Sequence, residues 1–432
     1  MFTYYLDLAL RSLKRTPVLT ALMVLAIALG IGASMTTLTV LHVLSGDPLP
    51  GRSAHLYYPQ LDPRDMQGYD PHDEPPGQVS WIDGMNLLHA HRADRQALMT
   101  GGQIPVQPLH SEVDPFFADA RYTTADFFPM FGTPFEYGQA WNDTEDANHS
   151  RVAVISRKLN DKLFEGADSV GRTVRVDDKD LRIVGVLDMW RPNPHFYDLY
   201  LGRYGEGEDV FLPLSTSQDL KLDHSGSTDC WSASNQEDMT KAPCTWLQLW
   251  VQLDTPAKAA AYKQFLVHYS QEQKALGRFQ RPPNVRLRNI PQWLDFRRVV
   301  PSDVRLQTWL AFGFLLVCLV NTVGLMLAKF LRRSGEIGVR RALGAARRTV
   351  FAQLLVEAGM VGIAGGALGL LLALLGLWLV RQQPVDYARL AHLDPVMLAI
   401  TFASAISASL LAGLLPAWRA CQIAPALQLK SN

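Results

Sequence analysis

The residues best placed to recognise another molecule lie between Asn321 and Glu357. Seven basic side chains (Lys329, Arg332, Arg333, Arg340, Arg341, Arg347 and Arg348) stand there against two acids, Glu336 and Glu357. Glu336–Leu343 reads as a short helix. Ser334 is placed to cap its N-terminus, Glu336 lies in the first turn where the helix dipole favours an anion, and Gly344 is placed to end it. With Arg340 and Arg341 exposed, such a helix is a handle for a protein partner. The alternative is a surface loop whose arginines meet anionic lipid headgroups. Catalytic chemistry is harder to find. There is no phosphate-binding loop of the G-x-x-x-x-G-K-S/T type, no H-E-x-x-H and no paired C-x-x-C. Gly205 and Gly207 lack the third glycine of a dinucleotide site and read as a turn. His72, Asp73 and Glu74, and the pair His89 and His91, read as solvated loop rather than a metal centre. No catalytic residue is assigned.

The charged segment is set between elements of a different kind. Four segments hold no Asp, Glu, Lys or Arg: Thr16–Gly46, Leu306–Ala328, Ala358–Val380 and Pro395–Trp418. Each exceeds the roughly 20 residues a helix needs to cross a bilayer core of about 30 Å. They imply membrane helices over 16–46 (with a projecting stalk), 305–331, 355–381 and 395–418. Basic residues in short loops resist translocation, so residues 1–15, the loop 332–354 and the tail 419–432 are assigned to the cytoplasm. Residues 47–304 and the loop 382–394, where Arg381 and Arg389 are the only nearby bases, fall outside. The length of the first run favours a retained anchor over a cleaved signal peptide. Phe2, Tyr5, Leu6, Ala9, Leu10 and Leu13 follow helical spacing and suggest an amphipathic helix on the inner face. Gly362/Gly366 and Gly365/Gly369 read as positions of close helix packing, and no ionisable pair lies within the uncharged runs.

The outer segment 45–304 carries 26 Lys plus Arg and 36 Asp plus Glu, a net charge of −10, and is long enough to bury its own core. That sign disfavours nucleic acid as a partner. Its pattern mixes α and β. Arg151–Ser156 alternates like a strand, and Ser156 is placed to cap a helix with Leu159 and Leu163. Val174–Val176 and Leu181–Leu187 read as strands joined by the Asp177–Asp180 turn. Trp246–Leu253 alternates, Pro256 fits the first turn of a helix to about Leu276, and Val285–Ile290 adds a strand. Met189–Lys241 is rich in Pro, Gly, Asp, Ser and aromatics, and this stretch, about 189–245, is the expected seat of partner or substrate specificity. Cys230 and Cys244 lie outside, where disulfides persist, and bracket a polar stretch that burial would not order. A bond between them closes a loop worth about 3 kcal/mol in the chain-entropy model. Cys318 and Cys421 are expected to be plain thiols.

The residues Asn321-Thr322, Leu327-Ala328, Glu336-Ile337-Gly338, Arg340 to Ala345, Gln353, Glu357 and Gly365-Gly366 resemble the C-terminal permease domain of the MacB/FtsX-like ABC transporters. Thr124–Phe128, Val152–Phe164, Gly171–Val176, Ile183–Val186 and Phe211–Leu214 are similar to the MacB-type periplasmic core domain. The resemblance implies an α-helical membrane protein of four spans with a large α+β periplasmic domain between the first and second, in the bacterial inner membrane. It implies a non-catalytic subunit without a cofactor of its own. ATP and magnesium belong to a separate cytoplasmic ABC ATPase, which docks on a coupling helix containing Glu336, Ile337, Arg340, Arg341, Leu343 and Gly344. It further implies a second permease copy or paralogue, and room for a periplasmic adaptor and outer-membrane channel. Efflux of peptides, antibiotics or toxins is the implied activity; lipoprotein release and FtsX-like control of a periplasmic partner are the alternatives.

Overall fold

The computed structural model describes residues 2–108, 114–232, 238–385, 387–393 and 395–422, without the side chains of residues 2–7, 389 and 395. Most of the apolar pattern at Phe2, Tyr5 and Leu6 therefore lies outside the described side chains, as do residues 423–432 of the tail. The chain divides into two compact units, Met1–Ser45 with Val300–Asn432, and Gly46–Val299.

In the first unit, among the described residues, four helices are long and apolar enough to cross a membrane. They cover Pro17–Leu44, Ser302–Arg332, Arg347–Arg381 and Pro395–Gln422. Pro17 and Pro395 begin the first and fourth, where a missing N–H costs nothing and the fixed φ suits a helix start. The first is about 42 Å long at 1.5 Å per residue, somewhat less than the run Thr16–Gly46 suggested. Glycines set the packing. A Cβ on Gly365 would stand 2.7 Å from Ile27 Cγ2, one on Gly32 2.8 Å from Leu372 Cβ, and one on Gly366 2.9 Å from Ala405 Cβ. Met23, Ile27, Ile31 and Met35 of the first span share a buried cluster with Leu354, Ala358, Val361 and Ala373 of the third.

The second unit is built on one mixed sheet. The unit's strands, in chain order, are β1 (Leu56–Gln60), β2 (Arg95–Gln107), β3 (Phe116–Thr123), β4 (Phe135–Gly138), β5 (Val152–Ile155), β6 (Thr173–Val176), β7 (Lys179–Leu187), β8 (Val210–Pro213), β9 (His224–Ser225), β10 (Asp229–Cys230), β11 (Cys244–Thr245), β12 (Gln248–Gln252) and β13 (Arg286–Asn289), of which β10 and β11 pair apart from the main sheet. The sheet runs β13-β1-β12-β2-β3-β8-β5-β7-β4, with β6 paired to β2 and β7, and β9 to β2. Most neighbours are antiparallel; β3 with β8 and β5 with β7 are parallel. Local chemistry explains several elements. Asp177 and Asp178 both take positive φ, the conformation a two-residue hairpin between β6 and β7 requires. Ser156 accepts from Leu159 N and starts the helix Arg157–Phe164; Thr255 caps Pro256–Ala275 in the same way.

Both faces of the sheet are covered, which the strand patterns did not show. All four residues of β5 are buried, so the expected alternation over Arg151–Ser156 is absent. In β12, Leu249 and Val251 join an aliphatic core with Leu98, Ile155, Val174 and Leu266. Trp250, on the opposite face, packs against Tyr58, Phe131 and Phe196 in a second, aromatic core.

The segment that sequence reading left unplaced is anchored in that aromatic layer. Arg121 of β3 has no exposed surface and binds Asp198 at 2.7 Å and Glu208 through its Nε at 2.9 Å. The Tyr197 hydroxyl donates to Glu208 at 2.6 Å, and the Arg121 guanidinium lies 5.1 Å from the Tyr197 ring. Burial works to raise the Glu208 carboxyl, but the charges of Arg121 and His195 outweigh it and hold it well below the usual range. Cys230 and Cys244 are disulfide-bonded where β10 pairs with β11. Cys318 and Cys421 are free and buried.

Arg121→Leu leaves two buried carboxylates uncompensated, and full-length protein should lose about 3–5 kcal/mol in the outer unit, read by pulse proteolysis. A stability equal to wild type would remove the anchoring role. Denatured without reductant, the chain should show two alkylatable thiols by mass spectrometry, and four after reduction, since Cys230 and Cys244 are bonded and Cys318 and Cys421 are not.

Candidate functional site

The charged segment between the second and third spans folds as the helix Ser334–Ala342. Arg333, at φ −101° and ψ 10°, separates it from the second span and occupies the cap position without a side-chain cap bond. Ser334 is therefore the first helical residue and not the cap that sequence spacing suggested. Glu336 in the first turn meets the positive end of the helix dipole instead. The other end closes as expected from Gly344. Its φ is +100°, its N–H bonds Arg341 O at 3.1 Å, and the Ala345 N–H bonds Arg340 O at 3.1 Å, the two reversed bonds of a Schellman motif.

Beneath this helix lies a buried ionic network. Glu357 of the third span is 2 % exposed and Lys329 of the second 1 %; their Nζ–Oε1 distance is 2.5 Å. Ser12, on the N-terminal helix Phe2–Arg15, donates its hydroxyl to Glu357 Oε1 at 2.6 Å and accepts in turn from Arg333. Arg333 also reaches Glu357 Oε2 at 3.3 Å and Glu336 Oε2 at 3.2 Å. Glu336 takes Arg340 at 2.9 Å, and Arg340 donates to Gln353 of the third span at 3.2 Å. Arg341 donates to the Cys421 carbonyl, at the end of the fourth span, at 3.0 Å. One charge set thus joins the short helix to the N-terminal helix and to the second, third and fourth spans.

Placement of the six residues singled out from sequence differs from expectation. Glu336, Arg340 and Arg341 are half-buried and turned into these internal bonds, so the arginines are not the free handle predicted. Ile337 packs against the buried cluster of the bundle. Leu343 faces outward, 83 % exposed, beside Val339 at 48 %. The outward face of the helix is thus apolar, rimmed by charge. Sequence reading missed Val339, although its spacing of four from Leu343 places both on one helix face. It also missed the Lys329–Glu357 pair. The signal was present: each is the first charge beyond an uncharged run, at a depth where an unpaired charge is costly. Nothing in sequence marks Ser12. Among the described residues no group of His, Cys, Asp and Glu is arranged to hold a metal.

Residues 20–267 match the family model of the MacB-like periplasmic core domain, and residues 309–425 that of the FtsX-like permease C-terminal domain. The chain belongs to the MacB/FtsX-like ABC transporter permeases. It is similar to the pyoverdine export ATP-binding/permease protein PvdT of Pseudomonas aeruginosa, 24% identical over 371 residues that cover 85% of this chain and 50% of that protein. It is also similar to the macrolide export ATP-binding/permease protein MacB of Azoarcus, 25% identical over 305 residues covering 69% of this chain and 40% of that protein. The periplasmic region of MacB from Actinobacillus actinomycetemcomitans superposes with a TM-score of 0.37 at 12% identity, covering 59% of this chain and 96% of that one. The chain spans about half the length of the curated relatives it matches. This permease is a multi-pass inner-membrane protein whose Gly46–Val299 unit is the periplasmic α+β domain.

Removing one partner of a buried ion pair leaves the other uncompensated, at about 3–5 kcal/mol, whereas the largely exposed Arg15–Glu336 pair contributes no more than about 1 kcal/mol. Lys329→Met should therefore lower the thermal stability of the permease in lipid nanodiscs sharply. Lys329→Met combined with Glu357→Gln should recover much of the loss, and Arg15→Ala should leave stability nearly unchanged. Equal stability for Lys329→Met and Arg15→Ala would deny the buried pair its role.

Proposed function

We propose that this permease converts ATP-driven closure of ABC ATPase subunits, lying outside these 432 residues, into motion of its periplasmic domain, and so extrudes cargo such as peptides, antibiotics or toxins. The helix Ser334–Ala342 is the coupling helix. What carries the reading is that helix itself: an outward apolar pair, Val339 and Leu343, on an element tied through buried charge to the spans on either side of it. A displacement imposed at Leu343 is passed to Glu357 and Lys329 rather than absorbed by a loose connection. In this reading the loop 332–354 and both termini are cytoplasmic, which agrees with the basic bias of the short segments. The chain supplies no catalytic group of its own, and ATP and magnesium are bound by the ATPase. The export activity in the names of PvdT and MacB favours efflux over lipoprotein release or regulation of a periplasmic hydrolase. A second permease copy or paralogue, and a periplasmic adaptor with its outer-membrane channel, complete the proposed assembly.

The two kinds of contact separate by mutation. Leu343→Asp touches none of the internal bonds, so it should cut the ATPase activity co-purifying with tagged permease by about tenfold, the equivalent of 1.4 kcal/mol, with unchanged thermal stability. Glu336→Arg and Arg340→Glu should lower both. Full co-purification of an ATP-hydrolysing subunit with all three variants would remove the coupling-helix assignment.

A further inference from the structure

The periplasmic domain holds a cavity of about 460 Å³ that no part of the coupling reading uses. One wall is apolar, from Trp81 and Leu214, and Trp81 is held in place by stacking on Trp246 with an interplanar angle of 10°. The lining also brings three carboxylates together, Asp126, Asp143 and Asp146, alongside His89, His91 and His149. None of the three makes a salt bridge with a Lys or Arg among the described residues. Their fixed contacts are neutral donors: Gln96 N at 2.9 Å to Asp126, and Ala125 N at 2.6 Å and Trp141 Nε1 at 2.8 Å to Asp146.

A second observation is independent of the acids. Gln96, which also lines the cavity, is only 5 % exposed. Its amide nitrogen donates to Leu88 O at 2.9 Å, but its side-chain carbonyl has no hydrogen-bond partner. A buried acceptor left unmade costs about 1–3 kcal/mol, so a donor supplied from outside gains more here than at an exposed carbonyl. Carboxylates without a Lys or Arg salt bridge, an orphaned acceptor and an aromatic wall ask for the same kind of guest: a positive N–H donor attached to an apolar body. A neutral apolar molecule would satisfy only the wall, and an anion would meet three like charges.

We propose that this cavity is a binding site for an amphiphilic organic cation, an amine whose ammonium group sits among Asp126, Asp143, Asp146 and Gln96 while its apolar part lies on Trp81 and Leu214. Burial pushes the Asp146 carboxyl up to about 6 and raises Asp126 as well, even though the charges of Arg95 and His91 act against the rise at Asp126; the neighbouring carboxylates add to both shifts, a repulsion that a bound cation would relieve. The cavity's lining lies wholly in the periplasmic domain, so binding of a probe there can be measured with no ATPase docked at Leu343. The net charge of −10 over residues 45–304 would draw cations towards it.

The test uses full-length permease in phosphatidylcholine nanodiscs and the fluorescent amine dansylcadaverine, with empty nanodiscs as the blank. Saturable, blue-shifted emission is expected. The N-acetylated, uncharged derivative should bind about tenfold more weakly or worse, because it lacks the charge-assisted contacts. Ala147 is an exposed residue of the cavity rim, so Ala147→Trp should block the probe without disturbing the fold, and Asp143→Asn should weaken the amine but not its acetylated form. Absence of saturable binding would overturn the assignment. So would equal affinity for the amine and its acetylated form, or undiminished binding in Ala147→Trp protein.

Discussion

A carboxylate buried at the end of a membrane bundle has few stable arrangements, and Glu357 shows one of them. It sits 2 % exposed with an ammonium, a guanidinium and a hydroxyl around it, each from a different piece of chain. Leaving it unpaired would cost several kcal/mol, a large share of the stability of an ordinary domain. The N-terminal helix, the second span and the start of the short helix are therefore all held to positions that satisfy one group. The remaining features of this half follow from that constraint. Glu336 and Arg340 extend the network along the helix, and the Schellman turn at Gly344 redirects the chain into the third span without leaving its last carbonyls unpaired.

The periplasmic domain resolves a similar problem with different surroundings. Arg121 lies at the centre of an aromatic layer, and the chain from Tyr197 to Glu208 folds across it to supply two carboxylates and a ring. A segment rich in Pro, Gly and Asp has little apolar surface of its own to bury. It gains its position from an ion pair in a low-dielectric setting, where each partner requires the other. The cavity beside Trp81 is the counter-example within the same domain, since among the described residues none of its three carboxylates makes a salt bridge with a Lys or Arg.

What could be read directly from sequence was whatever depends on local periodicity or on gross charge. Four uncharged runs became four long helices, the turn expected over Asp177–Asp180 forms at Asp177 and Asp178, the Ser156 cap and the Pro256 helix start stood where residue chemistry put them, and Gly344 ended its helix. The Cys230–Cys244 bond needed only compartment and spacing. The failures share a cause. Whether β5 alternates, whether the far side of Trp250 meets water, and whether Arg340 points outward are settled by elements distant in sequence. Ser334 has the chemistry of a cap, but its place in the chain was taken by Arg333, which Glu357 and Glu336 hold in position. Pairings such as Ser12 with Glu357, 345 residues apart, have no local signature at all.

The glycines of the first and third spans carry a mechanical consequence. Gly32, Gly365 and Gly369 let the two backbones approach so closely that side chains of one helix fill notches in the other. Rods meshed in that way resist sliding along their axes, because each step would drive Ile27 or Ile31 out of its notch. An axial push delivered to the third span is shared at once by the first, whose peptide chain continues into the periplasmic domain. In the mechanism proposed above, stroke would be conserved laterally through these interlocked surfaces and need not travel through any flexible connection.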